Sequence, residues 1–81
     1  MYIIKKVYAT HLESDDSVFF YSLDTDDDAL DEFFTNPDGS INDEADYDDY
    51  ELGDYIDGEE FEDLDEATNR FNDIKTNIDL L

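Results

Sequence analysis

The sequence predicts an α+β fold in a single small acidic domain, residues 1–81. Three observations predict it. The N-terminal quarter is rich in β-branched and aromatic residues and is broken once by a polar ESDD. A short stretch, 25–35, carries apolar residues at helical spacing and stops at a proline turn. The C-terminal third keeps its apolar residues to one helical stripe.

Residues 2–12, YIIKKVYATHL, and 17–23, SVFFYSL, read as two strands, because β-branched and aromatic side chains favour the pleated backbone. Their four-residue connection predicts an antiparallel hairpin. Apolar and polar residues alternate imperfectly in both, which leaves the buried face unassigned. His11 reads as a polar residue near a strand end.

Thr25, with Asp28 three residues on, matches a helix-start capping box. Ala29, Leu30, Phe33 and Phe34 then recur at helical spacing, and Asp26, Asp27 and Asp28 would lie where the helix dipole favours negative charge. Asn36–Pro37–Asp38–Gly39 has the composition of a type I turn. A short helix over 25–35 is the expectation.

Residues 40–56 admit two readings. Tyr50 and Leu52 alternate with Asp49 and Glu51, as in a strand with one wet face, so a third strand beside the hairpin is preferred over an acidic loop pinned by its tyrosines. From residue 58, Phe61, Leu64, Ala67 with Thr68, Phe71, Ile74, Ile78 and Leu81 form one stripe, predicting a long acidic C-terminal helix over 58–79.

The net charge is −22, from 26 acids and 4 bases. Residues 24–66 hold 21 of those acids and no base. Low hydropathy with such a charge ordinarily means disorder, but 15% aromatic residues point to a folded chain. The arrangement costs stability: like charges ~7 Å apart repel by about 0.6 kcal/mol in water before screening. Folding gains nothing from it, so the charge is expected to serve a function.

Several functions are excluded on composition. There is no cysteine for a disulfide or a thiolate metal site. The start MYIIKKVYATH lacks a signal-peptide pattern, and no apolar run nears the ~20 residues that span a bilayer, so no membrane association and a cytoplasmic location are expected. An EF-hand loop needs acids at its positions 1, 3, 5 and 12 and glycine at 6. Framing it on Gly39, Gly53 or Gly58 puts Phe34, Tyr50 or Leu64 at required positions, so all three frames fail. The acids run together without Arg, Lys or His beside them, and there is no phosphate loop or nucleophile elbow. No enzymatic activity, metal or cofactor is expected.

Residues 43–66, DEADYDDYELGDYIDGEEFEDLDE, hold fourteen acids among twenty-four residues. The candidate partner-binding carboxylates are Asp46, Asp48, Asp49, Glu51, Asp54, Asp57, Glu59, Glu60, Glu62, Asp63, Asp65 and Glu66, with Tyr47, Tyr50 and Tyr55 as aromatic supports. On a helix rising ~1.5 Å per residue, the acids of 57–66 would space charge at roughly 3 Å, close to the ~3.4 Å of one DNA strand. A second acidic row at 46–54 would lie beside it.

In size, charge and the interleaving of aromatics with acids in DYDDYELGDYIDGEEFEDLDE, the chain resembles small phage-encoded DNA-mimic proteins: anti-restriction proteins, uracil-glycosylase inhibitors and anti-CRISPR proteins. These share a physical design, not a motif. The resemblance implies an inhibitor that occludes the nucleic-acid groove of a CRISPR effector, a restriction enzyme or another basic nucleic-acid-binding protein of a bacterial host. It implies that the inhibitor itself binds no nucleic acid. An acidic interaction or chaperone module that shields a basic partner is the alternative.

Overall fold

A computed structural model describes residues 1–26 and 28–77, with the backbone but not the side chain of Asp57. The expected hairpin is present: β1 (Tyr2–His11) pairs antiparallel with β2 (Ser17–Thr25), from Tyr2 opposite Thr25 to Thr10 opposite Ser17. β3 (Asp28–Thr35) and β4 (Tyr50–Phe61) then add to its two sides, giving one antiparallel sheet in the order β3-β2-β1-β4. Among the described residues a single α-helix, α1 (Leu64–Thr76), follows β4.

The expected helix over 25–35 is replaced by β3. Thr25 pairs with Asp28, so the chain reverses within two residues. Asp26 takes a positive φ of 37°, a region that Asp visits more readily than most residues. The helical spacing of Ala29, Leu30, Phe33 and Phe34 is overridden by the sheet. Phe33 stacks on Tyr21 (centroids 5.0 Å apart, planes 7°), and Phe34 packs on Phe20 at 5.0 Å on the opposite face. A helix would have put both rings on one side. The first-turn acid Asp27 lies outside the described residues.

The long helix over 58–79 is corrected too. Its first part belongs to β4, where Phe61 lies opposite Tyr2 and Gly58 opposite Lys5. A side chain at Gly58 would meet the Ile4 carbonyl and the Tyr55 ring, so glycine admits the close pairing with β1. The helix begins after Asp63, whose carboxylate accepts a hydrogen bond from the Asp65 amide (3.1 Å). Part of the stripe survives in space although the backbone differs: Phe61 from β4 and Ala67, Phe71 and Ile74 from α1 share one cluster with Ile4, Tyr21 and Leu23, whereas Leu64 and Thr68 are exposed. Ile78 and Leu81, expected to extend it, lie outside the described residues.

The two-way reading of 40–56 resolves into a strand that starts later and runs further than expected. After a turn at Asn36–Gly39, where the Gly39 amide donates to the Asn36 carbonyl (3.0 Å), the chain crosses the face opposite α1. A single 3-10 turn at Tyr47–Asp49 then leads into β4. This crossing covers a second cluster, Ala9, Val18, Phe20 and Phe34, with Ala45, Tyr50 and Leu52 packed against it. Both faces of the central strands are therefore apolar, which explains the imperfect alternation in β1 and β2.

His11 serves as a turn cap: its Nδ1 accepts from the amides of Glu13 and Ser14, both at 3.2 Å. Among the described residues, no helix is long and apolar enough to cross a membrane.

Candidate acidic interface

The strand geometry redistributes the predicted carboxylates. They do not gather in one patch but run along one margin of the sheet. Asp46, Asp48 and Asp49 surround the 3-10 turn, near the β1–β2 loop, where the Leu12 amide donates to the Asp49 carbonyl (3.0 Å). Glu51, Asp54, Asp57, Glu59 and Glu60 follow along β4, an outer strand of the sheet. Glu62, Asp63, Asp65 and Glu66 close the series at the start of α1.

All of these side chains are exposed except Glu59, which is half-buried, and Asp57, whose side chain is outside the description. Along β4 they alternate in direction. Tyr50 and Leu52 pack into the second cluster, so Glu51 between them points to the helix face. Glu59 also points there and reaches Arg70, so Glu60 beside it points to the other face. β4 carries five acids in 12 residues, so at ~3.3 Å per residue the charge falls about every 8 Å. The helical spacing of roughly 3 Å does not hold. The register of β4 against β1 also shifts on both sides of Val7, and such bulges twist an outer strand.

The three tyrosines take distinct roles. Tyr47 sets its ring edge against Phe20 (5.3 Å) and Phe34 (6.4 Å) while remaining 45% exposed. Tyr50 stacks on Phe34 at 5.1 Å, and its hydroxyl accepts from Asn42 Nδ2 at 3.3 Å. Tyr55 is 53% exposed and lies along β4 over Gly58. Tyr47 and Tyr50 anchor the acidic margin to the core, and Tyr47 and Tyr55 offer ring surface outward.

The prediction centred on 46–66 missed a second acidic margin. β3 is the other outer strand, and it brings Asp28, Asp31 and Glu32 to the far side of the sheet. The expected helix over 25–35 would have carried these acids on its own surface and not on a sheet margin. Three strand spacings of ~4.8 Å separate the two margins, or about 14 Å.

The cations lie inside this frame. Lys5 and Lys6 are on the inner strand β1. Lys5 Nζ pairs with Asp24 (2.9 Å), while Lys6 Nζ sits 4.5 Å over the Phe19 ring. From α1, Arg70 Nε reaches Glu59 at 2.9 Å and Lys75 Nζ reaches Asp31 at 2.5 Å. All four bases of the chain are thus engaged within the fold, and the outward field is left to carboxylates.

A cavity of about 230 Å³ opens on the face opposite α1, between the β2–β3 end and Tyr47. Val7, Phe20 and Leu52 make its apolar part, with Asp24 and Glu32 as polar walls. Burial, and then Asp24 and Asp31, push the Glu32 carboxyl above its ordinary value. Burial first, then Glu32 and Asp24, raise the Tyr47 hydroxyl. The hydrogen bond to Asp24 raises Lys5.

No protein-family model matches the chain, and comparison with curated proteins and with solved structures found no match.

Proposed function

We propose that the protein is a nucleic-acid mimic that occludes the basic groove of a nucleic-acid-binding protein in the bacterial cytoplasm, such as a CRISPR effector or a restriction enzyme. The observation that carries this reading is the pair of acidic margins about 14 Å apart on one sheet, with the few cations already engaged by carboxylates or rings of the fold. That separation is comparable to the ~12 Å width of the DNA major groove, which divides two phosphate rows. The likeness lies between rows and not along them, since β4 spaces its charges about twice as widely as one DNA strand. Carboxylates on a paired strand keep their positions, so lysines and arginines that bind phosphates meet a preformed counter-surface. The protein acts by occupancy, without catalysis, cofactor or membrane contact.

The wide spacing along β4 favours one second reading, an acidic module that shields a basic partner without copying DNA. Capture of the partner on immobilised protein, followed by competition with duplex, separates the two. Release of a nucleic-acid-binding protein by micromolar duplex supports mimicry. A basic partner that stays bound in excess duplex supports shielding. In either case binding weakens steeply between 0.05 and 0.5 M salt as the charge pairs are screened, order-of-magnitude bounds set by the Debye length.

A further inference from the structure

We infer that the cavity beside Tyr47 receives an arginine side chain of the partner, so that recognition has one buried anchor within an otherwise charge-spread interface. This rests on the reading that the partner is basic. At about 230 Å³ the cavity is smaller than the ~300–1,000 Å³ of small-molecule sites and suits a single long side chain. Its lining acids, Asp24, Asp26, Asp28 and Glu32, face one lysine, Lys5, for a formal charge of −4 + 1 = −3. Asp24 is taken up by Lys5, and Asp26 lies 3.5 Å from the chain's amino group. Glu32 and Asp28 form no ion pair among the described residues.

The second observation is Ser22. It lines the cavity with only 3% of its surface exposed, and its hydroxyl makes no hydrogen bond among the described residues. A hydroxyl that opens into the cavity accepts hydrogen bonds, and a guanidinium N–H supplies a donor there. The apolar part contributed by Val7, Phe20 and Leu52 matches the methylene stem of arginine. The Tyr47 ring, 45% exposed, offers a face on which a planar guanidinium can stack, which favours arginine over lysine. The upward displacement of the Glu32 carboxyl fits a site built for a positive guest, whose arrival restores it.

The test is titration of the free protein with N-acetyl-arginine amide, followed by backbone amide shifts. The expected result is saturable movement confined to Phe20, Ser22, Glu32 and Tyr47, weakened at least threefold in Glu32→Gln and in Ser22→Ala. N-acetyl-lysine amide should bind at least threefold more weakly. Equal movement along β4, an unchanged response in both variants, or equal binding of the lysine probe would each overturn the assignment. Neither result depends on duplex competition. Localised arginine binding without duplex release of the partner keeps the anchor and removes mimicry. The reverse outcome removes the anchor alone.

Discussion

Arg70 and Lys75 leave the same helix and reach opposite margins of the sheet, Arg70 to Glu59 on β4 and Lys75 to Asp31 on β3. α1 is thereby tied across the sheet at both sides. Each pair is partly exposed, so each is worth about 0.2–1 kcal/mol, less in salt. A double-mutant cycle on Arg70→Met and Glu59→Gln, read by urea unfolding, should give a coupling in that range. Lys75→Met should cost more than its pair, because Lys75 Nζ also lies 5.1 Å over Phe71. Zero coupling in this cycle, with no added cost for Lys75→Met, would show that apolar packing alone seats the helix.

Thr35 is 1% exposed and its Oγ1 has no partner among the described residues. Thr35→Val keeps the shape and removes the stranded hydroxyl. The expected gain is about 1 kcal/mol, read as a higher urea midpoint with unchanged slope. A loss of stability would mean that the hydroxyl holds a water.

Acid should stabilise the protein before it destabilises it. Burial raises the Glu32 carboxyl, so the folded state holds that proton more tightly than the unfolded chain. Its ionisation costs stability at neutral pH, and the cost shrinks as pH falls through the raised value. Asp38 acts in the opposite sense: its carboxylate is lowered by hydrogen bonds from the Ser40 hydroxyl and amide. Its contribution is present above the unfolded value and lost as pH drops through the lowered one, so the gain reverses in stronger acid. Thermal melts should rise as pH is first lowered from neutral, and Glu32→Gln should flatten part of that rise. A wild-type melt that falls monotonically below pH 7 refutes this account.

The acids on β4 should also keep the chain monomeric. An outer strand exposes unpaired amides and carbonyls that can join another copy, and like charge opposes the joining. Replacing Glu51, Asp54 and Glu60 by Thr should produce dimers or larger species on size exclusion at low salt. If the triple variant elutes unchanged, the bulges in β4 suffice to block pairing and the carboxylates serve binding alone.

Much of this was legible in the residues, and the failures are instructive. The hairpin was readable because β1 and β2 are dense in β-branched and aromatic side chains. β3 was not, because Phe33 and Phe34 mimic helical spacing while they serve two different clusters, something only the presence of cover on both faces decides. The start of α1 was misplaced because Phe61 fits the helical stripe as well as it fits β4, and its neighbour in space is the same core either way. The identity of the acidic segment was plain, but its path was not. Charge composition says nothing about whether residues advance 1.5 or 3.3 Å at a time.

The engagement of all four bases, Lys5 with Asp24, Lys6 over Phe19, Arg70 with Glu59 and Lys75 with Asp31, has a thermodynamic consequence. The free molecule must recruit small cations from solution to offset its surplus, and a basic partner would send them back to the bulk. Association should then be driven largely by entropy, with calorimetry recording little heat and a dependence on the logarithm of potassium concentration whose slope counts the ions set loose.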